Sequence, residues 1–102
     1  SEGLNITGSG AVIVETGARL NNGDRDKLFD KIDNNGTITN NGIIENRRII
    51  DNNSGGTIND KKLILNIGTI ENDGKICEFE DNEITDPGKF TGNPPEKNCE
   101  ES

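Results

Sequence analysis

From Lys31 to Phe79 the chain reads KIDNN, GTITNN, GIIENR, RIIDNNSG, GTINDK, KLILNI, GTIEND, GKICEF. The phrase that recurs is Gly-x-Ile-x-Asn-x. Its isoleucines are Ile32, Ile38, Ile44, Ile50, Ile58, Ile64, Ile70 and Ile76, spaced by six residues except for one step of eight. That longer step falls at Asn53-Ser54-Gly55. Two residues after each isoleucine come Asn34, Asn40, Asn46, Asn52, Asp60, Asn66, Asn72 and Glu78. Repetition at a short fixed period is the mark of a solenoid, in which each unit buries its apolar face only against its neighbours.

A period of six does not fit the 3.6-residue turn of an α-helix. It suits a strand of about four residues followed by a corner of about two. Positions i and i+2 of a strand share a face, so the isoleucine and the asparagine of each hexad point the same way. The isoleucine must be the inward one, and the eight repeat isoleucines are the expected core. Asn at the strand end can turn its amide toward corner backbone or stack on the Asn of the next coil. Gly opens each following segment, where a conformation denied to residues with a Cβ is expected.

Two coil sizes remain open from the sequence. Two hexads make a flattened coil of about 12 residues, and three make a triangular coil of about 18. The smaller coil stacks Arg47-Arg48 on Lys61-Lys62, like charges at strand-pair distance. The triangular coil avoids that contact but sets Asp60 beside Glu78, and three sides is the expectation. In that register Val14, Ile32, Ile50 and Ile70 form one column, and Leu20, Ile38, Ile58 and Ile76 the next. Ile44 and Ile64 begin the third. The fold class expected is thus all-β: a short solenoid of about four coils with an extra N-terminal strand and an irregular C-terminal tail.

These residues resemble the hexapeptide-type β-solenoids, and more particularly the GTIxNxGxI-repeat proteins of archaeal and bacterial surfaces. The resemblance covers about Lys31 to Phe79 and reaches weakly back to Val14. It implies a surface or filament protein. It does not extend to the hexapeptide acyltransferases, which place a small residue directly after the aliphatic one, so it implies no acyltransferase chemistry.

Composition alone points elsewhere. Of 102 residues, 27% are hydrophobic and 3% aromatic, with no Trp, Tyr, Met or His and a net charge of −8. Such values suit a disordered chain. Most of the apolar residues are β-branched, however, which favours a pleated, half-buried surface. Frequent Gly and β-branched residues disfavour helix, so only Asp24 to Asp33 is expected to form a helical turn or two. The acidic balance argues against a phosphate-binding surface, which needs clustered Lys and Arg. No apolar run approaches the ~18 residues of a membrane span.

The ends lie outside the clean repeat. Residues 1–17 are read as an N-terminal extension strand, 18–85 as the solenoid and 86–102 as a polar, Pro-broken tail. Cys77 and Cys99 are expected to pair and to fasten that tail; their spacing is no zinc motif. Together with a start at Ser rather than Met, the pair suggests a secreted protein that has lost its signal peptide. Sequons at Asn5, Asn35 and Asn52 are candidate glycosylation sites.

Chemistry is sparse. There is no His, no serine-nucleophile motif and no phosphate-binding glycine loop. The acidic turns at Asp33, Asp51 and Asp73 match neither the EF-hand nor the nonapeptide calcium pattern. No catalytic residue, metal or cofactor is expected, and Asp60 with Glu78 is the one acid pair that the triangular register brings together. The functional expectation is a non-enzymatic structural subunit whose partners are copies of itself, assembled by end-to-end stacking or strand exchange at the cell exterior. Val12, Ile13 and Val14 would supply an exchanged strand, and outward-facing Ile43, Leu63 and Leu65 a contact face. The alternative is a secreted glycan- or protein-binding module.

Overall fold

In the computed structural model, which describes residues 3–23, 30–79, 84–85 and 88–99, each hexad builds one strand. The first coil is β1 (Leu4–Ile6), β2 (Ala11–Val14) and β3 (Arg19–Asn22). The second is β4 (Lys31–Asn34), β5 (Thr37–Asn40) and β6 (Ile43–Asn46). The third holds β7 (Ile49–Asn52), β8 (Thr57–Asp60) and β9 (Leu63–Asn66). The fourth has β10 (Thr69–Asn72), β11 (Lys75–Phe79) and β12 (Ile84–Thr85), and β13 (Lys89–Gly92) and β14 (Glu96–Cys99) begin a fifth. Every third strand pairs in parallel, giving two five-stranded sheets and one of four: β1-β4-β7-β10-β13, β2-β5-β8-β11-β14 and β3-β6-β9-β12. This is an all-β, three-sided parallel solenoid, and no helix occurs among the described residues.

The core consists of three columns. Ile32, Ile50 and Ile70 stack in register on the first side, Ile38, Ile58 and Ile76 on the second, and Ile44 and Ile64 on the third. All eight are at most 1% exposed, so the columns form a dry interior without aromatic side chains.

Beside the first and third columns run lines of buried asparagines. Asn34 Nδ2 donates to Asn52 Oδ1, and Asn52 Nδ2 to Asn72 Oδ1, each at 2.8 Å. On the third side Asn22 donates to Asn46 and Asn46 to Asn66, again at 2.8 Å. Each amide also reaches corner backbone, as Asn46 does to Thr69 O at 2.9 Å. The corners thereby satisfy polar groups that would otherwise be buried unpaired.

The repeat glycines serve a purpose different from the one expected. Left-handed φ values belong to Gly17, Gly23 and Gly92, not to the repeat glycines. What the repeat needs is room. A Cβ at Gly36 would lie 2.3 Å from the carbonyl oxygens of Thr7 and Gly10, and one at Gly68 2.2 Å from Arg48 O. The corner backbones of adjacent coils touch there, so Gly is set by close approach rather than by dihedral freedom.

The N-terminal register also differs. Leu4, Val12 and Leu20 occupy the core positions of the first coil, beneath Ile32, Ile38 and Ile44. Val14 lies beneath Asn40, at a ladder position, and Leu20 belongs to the third column rather than the second. Residues within 1–17 are therefore part of the coil stack, as are β13 and β14 from within 86–102. Lys31 to Asp33 of the expected helical turn are strand; most of that segment, residues 24–29, lies outside the described residues.

Cys77 and Cys99 form a disulfide that ties β14 to β11. The bridge spans 22 residues, a loop whose closure stabilises by about 3 kcal/mol in the chain-entropy model. Reduction is expected to lower the thermal midpoint and to release the β14 amides to hydrogen exchange, while amides beside Ile38 and Ile58 stay protected.

Candidate assembly surfaces

Both ends of the described stack present strand edges and partly buried apolar side chains. At the N-terminal end, β1, β2 and β3 are edge strands; at the C-terminal end, β13, β14 and β12 are. All pairings are parallel, so the edge at one end has the polarity to pair with the edge at the other. The core columns run out through these ends. Leu4, Val12 and Leu20 are only partly buried at the first end, and Phe90 and Ile84 at the second.

This placement changes the role expected of the N-terminal strand. Val12 and Val14 face their own core, with Val14 buried, and β2 is hydrogen-bonded along its length to β5. In this arrangement β2 is therefore a strand of its own stack rather than a free extension. Ile13 alone of the three points outward, 59% exposed.

Along the third side, Ile43 lies beneath Leu63 and Glu45 beneath Leu65. The three apolar side chains are half-buried. Glu45 is buried beside them and held by two cations, Arg47 Nε at 2.7 Å and Arg19 at 3.2 Å. The outer face thus combines an aliphatic strip with a neutralised carboxylate, a composition compatible with contact to another surface. At the corner between the second and third sides, Gly17, Asn41, Gly42, Lys61 and Lys62 help line an open groove of about 400 Å³. Lys61 Nζ sits 5.0 Å from the Phe79 ring centroid.

Of the sequon asparagines, Asn5 and Asn35 are exposed. Asn52 is fully buried, with its Nδ2 committed to the ladder, so a glycan cannot be attached there in the folded protein.

The acid pair is brought together as the triangular register required. Asp60 and Glu78 are register partners on β8 and β11, and both are buried. Burial pushes the Asp60 carboxyl up from 3.8 to about 6, with the hydrogen bonds from Asn40 and Lys62 opposing the rise and the Glu78 charge adding to it. The hexad places the pair on the inward face but does not say how completely the site is buried.

Among the described residues, one group of three potential metal ligands converges: Cys77, Cys99 and Glu96. Its two sulfurs are bonded to each other, so it presents no thiolate. Among the described residues no helix is long and apolar enough to cross a membrane. Neither a family model, nor a curated protein, nor a solved structure matches this chain.

Proposed function

We propose that this protein is a non-catalytic structural subunit, secreted or displayed at the cell surface, that stacks end to end into a filament or layer. The observation that carries this reading is the pair of matching ends: parallel strand edges of one polarity, each closing an apolar column with partly buried side chains. Head-to-tail contact continues the hydrogen bonding of all three sides, whereas head-to-head contact would set the edge strands antiparallel. Heterologous contacts of this kind do not close on themselves and generate fibres. Exposed edges are a liability that monomeric proteins usually cover.

The repeat supports the finer assignment to the hexapeptide-type, GTIxNxGxI-like surface solenoids. The disulfide is compatible with an extracellular setting, and Asn5 and Asn35 are the positions at which a glycan fits. No cofactor takes part in this function, and the partners are further copies of the chain.

Electron microscopy and sedimentation of concentrated protein test the proposal. Fibres are expected, and Leu4→Lys, which places a charge on the first end face, should shorten or abolish them while the circular dichroism spectrum stays β-type. Leu63→Lys, on the side face, should leave fibre length unchanged. Full-length protein that stays monomeric at millimolar concentration would overturn the reading in favour of a glycan- or protein-binding module.

A further inference from the structure

The ladder of the second side is broken by an acid. Where one asparagine lies beneath another, the upper Oδ1 accepts from the Nδ2 below it, and the Oδ1 atoms of Asn34, Asn46 and Asn72 also accept from the backbone N–H two residues on. Each Nδ2 donates onward to the next coil. Asp60 takes the first part of this pattern unchanged. Its Oδ1 accepts from Asn40 Nδ2 at 3.1 Å and from Lys62 N at 3.3 Å. Its Oδ2 therefore stands where every asparagine rung carries its NH₂. That oxygen is buried and has no hydrogen-bond partner, in a residue with no exposed surface.

Above it, on β11, the rung is Glu78 instead of Asn. Glu78 Oε2 accepts from Ile84 N at 2.9 Å, and Oε1 lies 3.3 Å from Lys97 Nζ of β14. An ionised Asp60 would thus present a lone pair toward a second carboxylate from a place built for a donor. Two such charges in one dry site do not both ionise readily. The charged and polar groups around Asp60 supply no donor to its Oδ2. Below it, β5 offers the neutral Asn40 amide; beside it Lys62 contributes only its backbone N–H, with its side chain exposed. The Lys61 ammonium sits over the Phe79 ring. The Lys97 ammonium lies 3.3 Å from Glu78 Oε1.

We propose that Asp60 binds a proton in the folded protein and, as the neutral acid, donates from Oδ2 into the next coil, taking the place of an asparagine amide. The second side is then a proton-completed ladder, and the solenoid carries a built-in preference for mildly acidic surroundings. The upward displacement of the Asp60 carboxyl to about 6 agrees with this geometry. The sign follows directly. A carboxyl raised above its ordinary value binds its proton more tightly in the folded than in the unfolded chain. Its contribution to stability is complete below about 3.8 and is lost as pH rises through about 6.

The test is a carboxyl-carbon NMR titration of the intact, oxidised protein, paired with thermal unfolding of wild type and Asp60→Asn from pH 4 to 8. The Asp60 carboxyl should titrate near 6 rather than at the ordinary 3.8. Asp60→Asn should match wild type near pH 4, exceed its midpoint at pH 8 and remove much of the fall between them. Glu78→Gln should lower the Asp60 midpoint without abolishing the shift, because burial is its larger cause. An Asp60 carboxyl that titrates with the exposed aspartates, or an Asp60→Asn protein with the wild-type pH dependence, would overturn the proposal. The wild-type titration decides the matter even where a variant fails to fold.

Discussion

Ile50→Asp is expected to abolish folding, whereas Ile49→Asp, one residue away, is expected to leave a folded solenoid. The two side chains leave the same strand on opposite faces. Ile50 is 1% exposed and stacks between Ile32 and Ile70, while Ile49 is 38% exposed on the outer face. Truncating a buried isoleucine costs about 2–5 kcal/mol through lost transfer energy and the cavity left behind. Burying a carboxylate adds a further penalty, because the amide donors beside the column are already committed to the ladder. The sum reaches the whole stability of a small domain, about 5 kcal/mol at its lower end. At Ile49 the acid faces water, with Lys31 on the neighbouring strand in register with it, so the change should stay within about 1 kcal/mol. Circular dichroism and thermal unfolding of the two variants provide the comparison. Equal tolerance at both positions would mean that the strand faces are assigned the wrong way round.

That contrast also marks what could be read from the sequence. The eight hexads between Lys31 and Phe79 declare their own register, because one corner length recurs and the single insertion at Asn53-Ser54-Gly55 is visible. Ladder partners there are 18 or 20 residues apart. In the first coil the corners lengthen, and Asn22 reaches its partner only at 24. Leu4 pairs with Ile32 and Val12 with Ile38 across still longer separations. Carrying the 18-residue period backward therefore set Val14 beneath Ile32 and Leu20 beneath Ile38. The residue types gave no warning, since Ile6 and Val14 stand at ladder positions and are apolar, while true core positions hold Leu and Val. A period can be extrapolated only while loop lengths hold, and loops tolerate insertion at little energetic cost. The assembly surfaces were less legible for a related reason. Val12 and Val14 look like a free strand until β5 is seen to pair with them. The two corner sequons differ in the repeat itself: Asn52 falls two residues after Ile50 and lies in the ladder, whereas Asn35 falls one residue past that position and lies on the surface.

Asn46→Ala should be the most damaging polar substitution in the ladder of the third side. Its Nδ2 donates to Asn66 Oδ1 at 2.8 Å, Thr69 O at 2.9 Å and Arg48 O at 3.4 Å. Its Oδ1 accepts from Asn22 Nδ2 at 2.8 Å and from Arg48 N at 3.3 Å. Alanine removes all five contacts and leaves their partners behind, among them the buried Asn66 Oδ1 and Asn22 Nδ2. Asn22 keeps a bond to Ile49 O, so its loss is partial. Each buried group left unpaired costs about 1–3 kcal/mol, and a total of about 3–5 kcal/mol is expected from chemical denaturation. Asn46→Asp separates the size of the side chain from its hydrogens. It keeps the Oδ1 acceptor and replaces the donor by a second oxygen, the situation of Asp60 reproduced on another side. Its cost should accordingly be small at pH 4, where the acid can donate, and large at pH 8, where it cannot. An Asp variant as stable at pH 8 as at pH 4 would show that the onward donor is dispensable. The ladders would then owe their stability to packing rather than to the amide hydrogens that link one coil to the next.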